Sequence, residues 1–184
     1  MFKYMLVAIF FLTSVFADQA YLRIIKNEKI IEVWYKDAQN QYYLSDIYPI
    51  CAMSGKLGPK TRSGDKQAPE GSYRITKKDL NPYSKYHLSM NVGYPNSYDR
   101  SLGRTGSYIM IHGGCKSIGC FAIGDDQIEE LYRLVKRSIE KYGYVDVDIY
   151  PFRITEENLV LHSDNEWIWF WKQLQKSYLK VSMN

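Results

Sequence analysis

Apolar and turn residues divide the chain into a strand-rich first half and a mixed second half. Residues 21–26 and 30–36 are dense in Ile, Val, Tyr and Trp, with Asn27 and Glu28 between them. The same composition resumes over 41–50 after a polar break at 37–40. This pattern predicts a three-stranded antiparallel meander. Residues 53–71 interrupt it with Gly55, Gly58, Pro59, Gly64, Pro69 and Gly71. A long irregular segment of that kind in a compact domain often carries function. Strand patterns return at 71–76, at 85–92 with His87 inside, and at 107–112 after a polar loop over 93–105.

The period then changes. Ile128, Leu131, Val135, Ile139 and Tyr142 recur at helical spacing, with Asp125 as the expected N-cap and Gly143 as the stop. Residues 144–152 read as a strand and 155–161 as a short helix. Asp164 is expected to cap a final helix whose Trp167, Trp169 and Trp171 read as core. The expected fold is a single α+β domain over 18–184. It is mainly antiparallel, with one helix after the 112–124 segment and helices at the C-terminus.

The first seventeen residues form a separate unit. Lys3 is followed by a run from Tyr4 to Phe16 that is apolar apart from Thr13 and Ser14, and Val15-Phe16-Ala17 fits the small residues at −3 and −1 of a signal-peptidase site. Residues 1–17 are therefore read as a secretory signal peptide. The run is shorter than the roughly 20 residues a membrane span needs, so no span is expected to remain after cleavage. Loss of Lys3 takes the formal charge from +4 to +3, too mild and too dispersed to indicate nucleic-acid binding.

Export gives the cysteines weight. There are three, Cys51, Cys115 and Cys120. In an oxidising compartment an odd number leaves at least one outside any internal bridge. A Cys51–Cys115 bridge with Cys120 free is one arrangement that spacing alone leaves open. The segment 107–124 delivers His112 at the end of an apolar run, then Gly113, Gly114, Cys115 and the group Ser117-Ile118-Gly119-Cys120. Three chemistries fit it. One is a buried structural Cys with a core His. The second is a metal site using His112, Cys115 and Cys120, although the paired C-x2-C spacing of zinc sites is absent. The third is nucleophilic catalysis, with a thiolate, an imidazole base and backbone amides for the oxyanion.

The rest of the chain favours the third. Gly64-Asp65-Lys66-Gln67-Ala68-Pro69-Glu70-Gly71-Ser72-Tyr73, Tyr86-His87-Leu88, Gly93-Tyr94-Pro95-Asn96, His112-Gly113 and Ser117-Ile118-Gly119-Cys120 occur in this order. Together they resemble the L,D-transpeptidase (YkuD-type) catalytic domain, and within it the YafK/DpaA-like branch. The resemblance spans nearly the whole mature chain. Two departures stand out. Ile118 replaces the second His usual in the Ser-His-Gly-Cys group, and the short His–Cys gap brings in Cys115.

The resemblance implies that Cys120 is the nucleophile and His112 its base, with the Gly113 carbonyl orienting the imidazole. It implies that the Gly119 and Cys120 N–H groups form the oxyanion hole, without metal or cofactor. A cysteine so poised is expected to have a lowered pKa. Ser117, Arg62, Arg100 and Arg104 are the candidate substrate-binding residues, whereas His87 and His162 read as structural. The implied substrates are peptidoglycan stem peptides in a Gram-negative periplasm. The implied reaction is transpeptidation, or hydrolysis that frees a terminal D-Ala or a wall-attached outer-membrane lipoprotein. A binding module that retains the cleft but not the reaction is the non-catalytic alternative.

Overall fold

The computed structural model describes residues 18–181, so the segment 1–17 read above as a signal peptide lies outside the described residues. Strands β1 (Gln19–Ile25), β2 (Ile30–Lys36) and β3 (Tyr42–Pro49) form the expected antiparallel meander. Strand β4 (Gly71–Thr76) follows the long loop. A second, smaller sheet is made by β5 (Leu80–Asn81), β6 (Ser89–Asn91), β7 (Met110–His112) and β8 (Phe121–Ala122), in that order. Helix α1 (Ser97–Ser101) lies between β6 and β7. Helix α2 (Asp125–Tyr142) leads into β9 (Tyr144–Tyr150), and α3 (Glu156–Leu161) and α4 (Ile168–Lys180) close the chain.

The larger sheet has the order β3-β2-β1-β9-β4. Its pairings are antiparallel except that of β1 with β9, which is parallel. β1 is nearly all buried because it sits mid-sheet with both faces covered. Ala20, Leu22 and Ile24 face a core shared with α2 and the small sheet, including Ile111, Phe121, Ile128 and Leu131. Ile25 faces the opposite way, against Phe152, Phe170, Trp171 and Leu174. The period of two along one strand thus feeds two cores. Among the described residues no helix is long and apolar enough to cross a membrane.

Several local expectations change. Only Ser89–Asn91 of the 85–92 segment is strand; His87 holds a positive φ of 71° and leaves the ladder. The 93–105 loop contains α1, capped by Asn96, whose side chain accepts from the Asp99 N–H. Asp125 is the first residue of α2 and not its cap, because its carboxylate is used on the loop before it. α4 starts at Ile168 after Trp167, so Asp164 caps nothing. Trp171 is core, but Trp169 is 45% exposed.

A buried ion pair sets where the long loop lies. Lys26, just past β1, donates from Nζ to the carbonyls of Gly58 and Ala68 and to Glu70 Oε1 at 2.8 Å. Glu70 Oε1 also accepts the Gly58 N–H, and Glu70 Oε2 accepts the indole N–H of Trp171 at 2.8 Å. Burial pulls the Lys26 pKa down, and Glu70 opposes it. Removing one partner strands a charge in the interior. Glu70→Gln is therefore predicted to lower the unfolding free energy by about 3–5 kcal/mol. Urea titration followed by tryptophan fluorescence measures this; a loss below about 1 kcal/mol would refute the assignment.

Candidate active site

β7 ends at His112, which is 2% exposed. Its Nδ1 lies 2.7 Å from the Gly113 carbonyl. A carbonyl only accepts, so Nδ1 carries the proton and Nε2 keeps its lone pair. The Gly113 carbonyl thus sits where an orienting partner for His112 is needed. Gly113 must lack a side chain: a Cβ there would meet Asp125 Oδ1 and the Tyr86 carbonyl, both at 2.6 Å. The same Asp125 oxygen accepts the Gly114 N–H at 2.7 Å. Tyr86 packs its ring on the imidazole, with centroids 4.6 Å apart. Burial lowers the His112 pKa, opposed by the bond to Gly113, so the neutral base is favoured.

β7 and β8 run parallel, with His112 opposite Ala122. Met110 opens β7 and Cys120 immediately precedes β8; the Met110 N–H donates to Cys120 Sγ at 3.4 Å. His112 and Cys120 are thus diagonal neighbours across one strand pair. Cys120 is the one free cysteine among the described residues, and its S–H donates to the Tyr108 carbonyl at 3.6 Å. The expected lowering of its pKa is not found. Burial raises it, and the opposing Met110 N–H and Lys60 charge do not compensate. The resting pair is a neutral thiol beside a neutral imidazole.

The expected oxyanion donors are also engaged. The Gly119 N–H donates to Ser54 Oγ at 2.7 Å, and the Cys120 N–H to Ser117 Oγ at 3.1 Å. Ser117 Oγ returns a bond to the Cys120 carbonyl at 2.8 Å, so its hydroxyl braces the turn. Gly119 holds φ at +84°, a region other residues rarely adopt. Cys51 and Cys115 form a disulfide with Cα atoms 5.5 Å apart. This removes Cys115 from the three-ligand metal arrangement. It also ties the His–Cys loop to the segment after β3, where the Cys51 N–H donates to the Ala122 carbonyl.

A cavity of about 180 Å³ opens at Cys120. Its walls are Lys60, Ser63, Gly64, Lys66, Gly106, Ser107, Tyr108, Ile109, Ile118, Gly119 and Cys120. Asp65 organises the loop side by accepting from Lys60 Nζ and from the N–H groups of Thr61, Arg62 and Gln67. Burial works against its charge, but these bonds prevail and bring its pKa down to about 2.

The three arginines fare differently. Arg62 is exposed and does not line the cavity, although its chain neighbour Ser63 does. Arg100 bonds the Pro95 carbonyl and lines a different cavity, with Arg74 and Asp146. Arg104 is 7% exposed and paired with Asp99 at 2.8 Å, so its place as a substrate ligand is corrected to a structural ion pair. His162 packs against Phe152, and His87 pairs with Glu129 at 2.6 Å. Sequence reasoning missed Ser54, Lys60, Lys66, Tyr86 and Tyr108. The signal available for the lysines and Ser54 was their place in the Gly- and Pro-rich 53–71 segment.

The fold has known counterparts. Residues 19–154 match the L,D-transpeptidase catalytic domain (YkuD), and the chain belongs to that family. It is 42% identical over 160 residues to YafK of Escherichia coli, described as a candidate L,D-transpeptidase. The same figures hold for YafK of a second strain. The match covers 86% of this chain and 64% of YafK, so the chain spans less than two thirds of that relative. Among solved structures, the helical cell shape determining protein Pgp2 of Campylobacter jejuni aligns with a TM-score of 0.59 and 25% identity. It covers 72% of this chain and 47% of Pgp2. Bd1075 of Bdellovibrio bacteriovorus shares the fold at a TM-score of 0.51 and 23% identity, over 73% of this chain and 48% of its own.

The charge state of the pair is open to test. Alkylation of Cys120 by iodoacetamide, followed by mass, is predicted to rise only above the pH of an ordinary thiol, near 8.5. Falling pH protonates His112 only below its usual value of about 6.5, so a His112-dependent reaction should hold its rate down to that pH. Fast alkylation at pH 6 would show a thiolate–imidazolium pair instead.

Proposed function

We propose that this protein is an exported cysteine acyltransferase that remodels peptidoglycan stem peptides. The observation that carries the reading is the diagonal placement of the free Cys120 beside His112, whose imidazole is fixed with Nε2 as acceptor. Family membership supports the substrate class. Because thiol and imidazole both rest neutral, proton transfer accompanies attack. His112 Nε2 takes the Cys120 proton as Sγ bonds the stem carbonyl at the L-centre of diaminopimelate. The tetrahedral oxyanion collapses, the C–N bond breaks, and His112 returns the proton to the leaving D-Ala amine. An acceptor amine then attacks the thioester, giving up its proton to His112 and expelling the Cys120 thiolate, which regains it.

For the Gly119 and Cys120 amides to serve that oxyanion, the Ser54 and Ser117 hydroxyls must yield them. Such donors are worth roughly 10²–10³ in kcat, so this exchange matters to rate. Hydrolysis is the second reading: removal of D-Ala, or release of lipoprotein from diaminopimelate. The small cavity open at Cys120 favours it, since water needs no further site, whereas an amine must be positioned. Gram-negative periplasm is the setting that the signal-like N-terminus and the disulfide support.

Cys120→Ala is predicted to abolish acyl-enzyme formation with tetrapeptide stems, read by intact mass, while the melting curve is unchanged. Cys115→Ser should lose up to about 4 kcal/mol of stability but still form the adduct. Product analysis on purified sacculi decides the acceptor: new stem–stem or stem–lipoprotein bonds indicate transfer, released lipoprotein or D-Ala indicates hydrolysis. Failure of the parent protein to acylate with either stems or a carbapenem would leave a wall-binding module.

A further inference from the structure

The cavity at Cys120 has two cationic side chains in its walls, Lys60 and Lys66, and no acidic one. Lys60 is 5% exposed, unusual for a lysine. Its Nζ donates to the Arg62 carbonyl and to Asp65 Oδ1, and stands 5.9 Å from the Tyr94 ring centroid. An ammonium has three donors, so one is left. Gly106 makes the room, since a Cβ there would lie 2.9 Å from Lys60 Cε. The Asp65 carboxylate is shared with three backbone N–H groups, so Lys60 alone does not neutralise it.

Lys66 comes from the same loop at a positive φ of 55°. That conformation costs a residue with a Cβ on the order of 1 kcal/mol, and such strain gathers where a side chain must be aimed. Its carbonyl is fixed by Ser54 Oγ at 2.7 Å. The same Ser54 oxygen accepts the Gly119 N–H, so the lysine loop and the cysteine loop are joined by one hydroxyl. The facing Tyr108 is a second strained residue, with φ at 56°.

We infer that Lys60 and Lys66 form an anion subsite within the Cys120 cavity that holds a free carboxylate of the acyl donor. The subsite selects a donor peptide bearing that carboxylate over the same peptide with a carboxamide. This deepens, and rests on, the acyl-transfer reading. Lys60 supplies the pre-positioned charge, held by Asp65, and Lys66 closes the exposed side.

Cys120→Ala protein measures recognition without chemistry. Its dissociation constants are taken by calorimetry for two tetrapeptides that differ only in carboxylate or carboxamide on the residue before the scissile bond. One charge-assisted bond corresponds to roughly 10-fold or more, so the acid form should bind at least that much tighter. The preference should weaken with added salt, and collapse to within about 2-fold in Cys120→Ala/Lys60→Met. Lys60→Arg should keep part of it. If Lys60→Met does not fold, Lys66→Met reads the same ratio from the exposed wall. An unchanged acid-to-amide ratio in the folded lysine variants overturns the subsite. A Lys60-dependent ratio in Cys120→Ala together with no thioester in the parent protein, which keeps Cys120, refutes acyl transfer and leaves the subsite standing. A thioester formed equally well from both peptides does the reverse.

Discussion

The Lys26–Glu70 pair is the constraint on which the site depends. Residues 53–70 contain no helix or strand, so no ladder tells that loop where to lie. Lys26 fixes it at Gly58, Ala68 and Glu70 from the end of a central strand, and Trp171 of α4 fixes it from the other side. Lys60, Asp65 and Lys66 all fall between those anchors. A loop held only by apolar contacts would adopt several near-equivalent positions. A buried charge with all its hydrogen bonds satisfied has one.

The proposed catalytic pair, Cys120 and His112, follows a different logic. A preformed thiolate needs stabilising charge and amides, and those near Cys120 are outweighed by burial. Under the proposed chemistry, Cys120 would ionise only when a substrate and His112 share the proton. Burial that raises the thiol also lowers the imidazole, so the two groups are driven toward neutrality together. Such a site resembles a serine–histidine pair more than a reactive thiol. It also protects an accessible cysteine from indiscriminate chemistry.

Much of this was legible in the residues, and the failures have causes. The meander, the 71–76 strand, α2 and the His112–Cys120 segment follow from periodicity and glycine placement. The 85–92 strand was misread because Tyr86 and Leu88 alternate correctly, yet His87 turns to meet Glu129 and Tyr86 folds onto His112. Arg104 read as a candidate substrate ligand because nothing in the sequence shows that Asp99, five residues earlier, is buried against it. Asp125 was read as a cap when its carboxylate holds Gly114. The Cys120 pKa was misjudged because motif logic counts neighbours but not the water they exclude. Lys60 lay in no motif, and Lys66 stood inside the Gly64–Tyr73 segment without a role of its own. Their meaning depends on which loop faces which.

The parallel pairing of β1 with β9 has a consequence for how the chain assembles. Tyr21 meets Asp146 and Ile25 meets Tyr150, contacts closed across most of the sequence. β1 and β2 can zip locally, but the other edge of β1 stays open until the last third of the polypeptide arrives. The His–Cys loop therefore exists before the sheet that supports it is complete. A topology with such distant partners has a high contact order, and loop-closure entropy makes its folding slow. A protein of this design must be kept from pairing its open edge with other chains while its own ninth strand is still on the way.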